Sequence, residues 1–341
     1  AGTIEALHPL STHPKARICA EADSVLRFVR VPASLTRSQP RAVAARGGIQ
    51  VEEISDEADD VDNQLLFSIY HALREDKLEL PSLPDVALRI RAAAADPLKG
   101  VNEIAQIITV DPALASYCIR VANSAAYAGG EPVSNVREAV NRMGINPTRD
   151  FVLAYAVRNL FKSQAPRCTL LMKAAWQHSA NIAALSYVIA RRTSRVDPEQ
   201  ALLAGLLHDI GVMVLVSQLV HFPDLFRAEA TLATALRELK HQVTAMVLRA
   251  WSLPEVTVKA AFAAEHWARE PGEHYQLADI LLLAHWHQEE PAPLWAEPVP
   301  TDGIVMLSRL PSETLTESGR LHLIQEADEE LARMRGLLGG G

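Results

Sequence analysis

The sequence predicts an all-α protein. Ala and Leu are abundant, while β-branched types are sparse and aromatics make up only 5%, which tilts local preference toward helix. Apolar residues recur at i, i+3 and i+4 from about Val61 onward, the period of amphipathic helices. Strand-like alternation is nearly absent, and no internal repeat is found.

The bulk numbers narrow the setting. A chain of 341 residues suits two domains or one large helical one. The net charge of −8 argues against a nucleic-acid-binding surface. Cys19, Cys118 and Cys168 are odd in number and lack CxxC spacing, so neither a disulfide framework nor a thiolate zinc site is expected. A reduced, cytoplasmic setting follows. No apolar run reaches membrane-spanning length and no signal peptide is visible, so no membrane association is expected. The chain begins at Ala1 without Met, and a piece of a longer protein is the expectation.

Residues 1–60 differ from the rest. Seven basic residues between Lys15 and Arg46 precede an acidic cluster running from Glu52 to Asp62. A Pro-, Arg-, Ser- and Ala-rich stretch ends at Gly47-Gly48. This predicts an N-terminal extension or linker with one short ordered piece, Val25 to Val31. A helical domain over residues 61–290 follows, then a Pro-rich loop and C-terminal helix over 291–341.

Within the helical domain, Leu65, Leu66, Ile69, Tyr70 and Leu73 mark a first helix. Leu80-Pro81-Ser82-Leu83-Pro84 breaks it, and Asp85 to Ala95 forms the next. Asn102 is expected to cap a short helix ending near Thr109. Asp111-Pro112 restarts the chain, with the carboxylate as cap and Pro at the first helical position. Asn123 is expected to bridge backbone after that helix. Ser134 is expected to cap a helix ended by Gly144. Further helices are expected over Phe151–Phe161, Leu170–Arg191, from Asp197-Pro198 into His208-Asp209, over Leu232–Trp251, Glu255–Ala268 and Tyr275–His287, and near Leu315–Leu338.

One stretch organises the chemistry. Leu206-Leu207-His208-Asp209-Ile210-Gly211 places an imidazole and a carboxylate at the end of an apolar run, before a Gly that can end the helix. Two such groups at a buried helix end need compensation, by a metal or by hydrogen-bond partners. Other candidate ligands fall on the neighbouring helices: His178, His241, His266 and Asp279. With His208 and Asp209 they form an imidazole–carboxylate set suited to a divalent metal such as Fe, Mn, Zn or Mg, held by one or two ligands per helix. Glu265 is expected to be a surface carboxylate, and His285 and His287 to be ordinary surface or capping residues.

A distributed resemblance joins these pieces. Leu80 to Pro84, Asp111-Pro112-Ala113-Leu114, Val121 to Tyr127, Ala139-Val140-Asn141-Arg142-Met143-Gly144, Trp176-Gln177-His178-Ser179, Ala204 to Gly211, His241, Trp251-Ser252-Leu253-Pro254 and Glu265-His266 follow in order. Over some 200 residues this pattern resembles the HD-related output domain, HDOD, a relative of the HD metal-dependent phosphohydrolases. The resemblance implies an all-α regulatory or interaction module of bacterial signalling, working through other signalling proteins. It also implies loss of parts of the catalytic apparatus. The active HD-GYP relatives carry Lys after the HDIG word, where this chain has Val212, and Val cannot neutralise a phosphate. Their paired histidines correspond to Glu265-His266, and the Gly-Tyr-Pro word is replaced by Trp267-Ala268-Arg269-Glu270-Pro271-Gly272. A non-catalytic signalling module is therefore the leading expectation. A metal-dependent phosphohydrolase acting on a nucleotide or cyclic dinucleotide, and a small-ligand sensor in a vestigial cleft, are the alternatives.

Overall fold

The computed structural model describes residues 80–339, apart from 125, 128, 161–164, 194–195, 219–228, 271, 273, 289–291, 301–304 and 306–320. The expected extension over 1–60 and the helix around Leu65–Leu73 lie outside the described residues.

The described residues are helical, with no strand among them. Helices α1 (Asp85–Ala95), α2 (Val101–Thr109), α3 (Pro112–Ala122), α4 (Val136–Met143) and α5 (Ile145–Arg158) come first. The second part begins with the 28-residue α6 (Pro166–Thr193). Then come α7 (Pro198–Leu207), α8 (Ile210–Gln218), α9 (Glu229–Ala250), α10 (Glu255–Phe262) and α11 (Leu277–Trp286), followed by α12 (His322–Gln325) and α13 (Asp328–Gly339).

The caps follow local chemistry. Asp111 accepts from the backbone N–H groups of Ala113 and Leu114, and Asp197 from that of Glu199, each with Pro at the first helical position. Asn123 brackets Val133, donating to its carbonyl and accepting from its N–H, both at 2.9 Å. Two expected caps shift by one or two residues. Asn135, not Ser134, accepts from Glu138 N–H. Gly100, not Asn102, precedes α2, and its N–H donates to Glu103 Oε2 at 2.9 Å. Gly144 ends α4 with φ +88°, as a C-terminal Gly should.

Packing builds a closed ring in the second part. Helix α6 lies along α7, α8 packs on α9, α9 on α10, α10 on α11, and α11 returns to α6. Helix α5 joins the first part to this ring through α7. Against the reading that no apolar run is long enough to span a membrane, residues 198–218 form one helical run of sufficient length and apolarity, but 89% of its most apolar stretch is buried inside the fold. They are the core of the ring, and the intervening turn carries His208 and Asp209. Helix α13 rests on α6, with Glu330 paired to Arg191 and Arg192.

Two glycines allow that core to close. A Cβ on Gly205 would stand 2.8 Å from Ala183 Cα of α6. One on Gly211 would stand 2.6 Å from the Thr244 backbone nitrogen of α9. Gly211 therefore does not end a helix, as the sequence suggested. It lies inside α8, and its missing side chain admits the backbone of α9.

Two motifs far apart in sequence meet at the other end of the ring. Trp251 Nε1 donates to the Pro81 carbonyl at 2.7 Å. Arg91 donates to the carbonyls of Trp251 and Ser252, where Ser252 takes a left-handed φ of +53°. The Leu-Pro-Ser-Leu-Pro and Trp-Ser-Leu-Pro segments thus hold each other.

Candidate metal centre

The ring encloses a cluster of titratable side chains. Its centre is the turn between α7 and α8, where His208 and Asp209 are fully buried. Thr244 fixes this turn from α9: its hydroxyl donates to the His208 carbonyl at 3.1 Å and accepts from Gly211 N–H at 2.9 Å. His208 Nδ1 donates to the Gly205 carbonyl at 2.6 Å. That bond orients the ring and turns Nε2 toward His178.

Three donor atoms then converge. His178 Nε2 and His208 Nε2 lie 3.2 Å apart, and Asp209 Oδ2 lies 3.6 Å from the first and 3.4 Å from the second. A cation holding ligands at about 2.0–2.1 Å in tetrahedral geometry separates them by about 3.4 Å. The triangle therefore matches one face of such a shell. His285 stands beside it on α11: each of the three imidazoles offers a nitrogen within 4.8 Å of the other two. His285 Nε2 and His178 Nδ1 are buried with no hydrogen-bond partner among the described residues. The three buried imidazoles could hold a metal ion, and Asp209 Oδ2 stands beside two of them as a further candidate ligand.

Beyond the triangle lies an ion-pair network. Lys240 of α9 is fully buried. Its ammonium is 3.3 Å from Asp209 Oδ1 and pairs more closely with Glu265 Oε2. Glu265 also faces His241 Nε2 at 3.5 Å and His285 Nδ1 at 3.6 Å. Trp295 covers the turn from the Pro-rich segment, fully buried and donating its indole N–H to Asp209 Oδ2 at 2.8 Å.

This environment sets the charges. Burial, with His208 adjacent, pulls His178 down to about 3. Burial likewise holds His285 well below the usual imidazole range. Burial alone would raise Asp209 and Glu265, but their neighbours outweigh it. His208 and Lys240 hold Asp209 well below the carboxylate range, and Lys240 and His241 do so for Glu265. The two carboxylates reverse the effect of burial on Lys240 and hold it above the usual lysine value.

The sequence candidates therefore separate. His178, His208 and Asp209 meet. His241 stands at the edge, reaching Glu265 rather than the triangle. His266 does not join them. Helix α10 was expected to run to Ala268 but ends at Phe262, and in the turns that follow Glu265 points inward while His266 is exposed. Asp279 is buried but away from the cluster: it accepts from Arg269 Nε and from Gln276 N–H, both at 2.7 Å. It is the N3 carboxylate of the capping box that starts α11, where Gln276 is the N-cap residue. The expectations of a surface Glu265 and of a surface or capping His285 are also corrected, since both are buried; His287, expected at the surface or as a cap, is buried and is the C-cap residue of α11. Leu321 N–H donates to His287 Nε2 at 3.4 Å.

Lys240, Glu265, His285 and Trp295 are the members the sequence did not assign. Lys240 carried a signal. It falls at helical spacing on a stripe with Leu236, Leu239, Val243 and Val247, all buried. His285 sits in a helix apolar all round, where no face is available for solvent. Trp295 lies in a Pro-rich segment without periodicity and gave none.

Known proteins share this architecture. A candidate metal-dependent phosphohydrolase of Shewanella amazonensis SB2B is 22% identical, with a TM-score of 0.64, over 82% of this chain and 99% of its own. An HDOD domain protein of unknown function from Geobacter sulfurreducens is 22% identical, with a TM-score of 0.54, over 83% and 99%. A protein from Treponema pallidum (strain Nichols), described only as uncharacterized, is 23% identical over 224 residues. That match takes in 61% of this chain and 42% of the relative's length. The HDOD domain model matches residues 80–267. That span runs from the Leu-Pro-Ser-Leu-Pro segment through the His208-Asp209 turn to Glu265-His266, and the chain belongs to the HDOD domain family.

Proposed function

We propose that this chain is a regulatory output module of a bacterial signalling pathway, acting in the cytoplasm through contacts with other signalling proteins and without turning over a phosphodiester. A single observation carries this reading: the cluster is sealed. His178, His208, Asp209, Lys240, Glu265 and His285 are each at most 6% exposed. A hydrolase needs an open position for substrate beside its metal. Here Trp295 donates to the carboxylate that would face that position, and Val212 supplies no charge for a phosphate. Membership of the HDOD family supports the same role. A divalent metal on His178, His208 and Asp209 would tie α6 to the α7–α8 turn and hold the module in one packed state.

The convergent triangle favours a second reading, metal-dependent hydrolysis of a nucleotide or cyclic dinucleotide. One experiment separates them. The purified chain is loaded with Mn, Fe or Mg and incubated with nucleotides and cyclic dinucleotides. The regulatory reading expects no phosphate release above that of a His208→Ala, Asp209→Ala double variant. Turnover that the double variant loses would replace it with the hydrolase reading.

A further inference from the structure

We propose that Lys240 is a built-in cation filling the second of two cation positions that share Asp209, so that the cluster accepts one metal ion and not two. This rests on the reading that His178, His208 and Asp209 hold a metal, and it concerns what lies on the other side of that carboxylate. Two-metal centres hold their ions about 3.5–4 Å apart, close enough for one carboxylate to serve both. Asp209 is placed for such sharing. Its Oδ2 faces the His178–His208 pair, and its Oδ1 faces the Lys240 ammonium at 3.3 Å.

The surroundings of the ammonium are those of a cation site. Glu265 Oε2 pairs with it as well. His241 Nε2 is 3.5 Å from that oxygen, and His285 Nδ1 is 3.6 Å from the other oxygen of Glu265. Without Lys240, two carboxylates and two imidazoles would remain around a void, a donor set suited to Zn, Mn or Fe. The Lys240 side chain is fully buried and cannot swing out to solvent. Two buried carboxylates without a cation would be strongly unfavourable, so the position demands positive charge from one source or another. The chain supplies it covalently, and a second metal is shut out by both volume and charge.

The test is metal content. The full chain and its variants are equilibrated with Zn or Mn, freed of excess ion and analysed for metal per chain. Wild type is expected to hold one ion, Lys240→Ala two, and Lys240→Ala with Glu265→Ala one again. In thermal melts, metal should raise the Tm of Lys240→Ala by more than that of wild type. Should wild type hold none and Lys240→Ala one, the built-in cation stands and the metal reading of the triangle fails. Equal content in wild type and Lys240→Ala, or two ions in wild type, overturns the proposal. If Lys240→Ala does not fold, Lys240→Ser, which clears nearly the same volume and leaves a small hydroxyl, is measured with the same expected contents. Folding of either variant only when metal is supplied also supports the proposal.

Discussion

Trp295 donates its indole N–H to Asp209 Oδ2 across 86 positions of sequence, at 2.8 Å and with both side chains fully buried. The bond fixes the face of the carboxylate that Asp209 turns to His178 and His208. Trp295→Phe would keep a ring in the space and remove the donor. Stability should fall by about 1–3 kcal/mol, the cost of a buried acceptor left short of a partner. Metal affinity should fall about 10–100-fold, as for other groups that orient a ligand. Denaturant unfolding and competition with a metal-binding dye check the two effects. An unchanged affinity would mean that Asp209 is held by Lys240 alone.

Gly211→Ala tests the close approach of α8 to α9. Its Cβ would meet the Thr244 backbone nitrogen and, at 2.8 Å, the Thr244 hydroxyl. Backbone cannot rotate aside, so the helices must part. We expect a loss of about 3 kcal/mol, the upper range for overpacking, seen as a lower urea midpoint. Gly336→Ala on α13, where an added Cβ meets nothing within 4 Å, should leave the midpoint unchanged or slightly raised.

The metal-free protein should be acid-sensitive. An unfolded histidine takes up its proton near pH 6.5, whereas folded His178 does so only near pH 3, and His285 is lowered in the same sense. Through that window the unfolded chain binds more protons than the folded one, so stability falls as pH falls. Asp209 and Glu265, also lowered, add loss of the same sign once pH drops through the ordinary carboxylate range. Tm measured in chelator should decline steadily from about pH 7 to about pH 4. A flat profile would show that water or a counter-charge reaches the buried imidazoles.

Asp279→Asn and His266→Ala divide structural from ligand roles. Asp279→Asn weakens the Arg269 pair and the cap of α11, and should cost about 2 kcal/mol without changing metal per chain. His266→Ala alters an exposed side chain and should stay within about 0.5 kcal/mol, again with full metal content. His178→Ala should lose the metal. Equal metal loss in all three would place the ion elsewhere.

How much of this was legible in the sequence depends on where the information sits. The helical period and the Asp-Pro starts are local, so the all-helical class and the beginnings of α3 and α7 could be seen directly. His208-Asp209 stood out because two polar groups ended an apolar run. The inward turn of Glu265 was hidden because α10 stops at Phe262 without a Gly or Pro to mark the end. His285 was hidden by a helix with no polar face to contrast against. Lys240 was visible as a charge on an apolar stripe, but its partners come from the α7–α8 turn and from beyond α10. Only the closed ring brings those together. Trp295 depends wholly on tertiary placement.

Helix α6 has a consequence beyond its place in the core. It carries His178 near its middle and Arg191 and Arg192 at its end, where they grip Glu330 of α13. The two points are separated by 13 residues, about 20 Å of continuous helix. A helix of that length, packed along most of its span, is a stiff beam with a load at each station. Because the helix is continuous, the seat of α13 and the position of His178 are both referred to one axis. The cluster and the seat of the C-terminal helix are thus built on one helix.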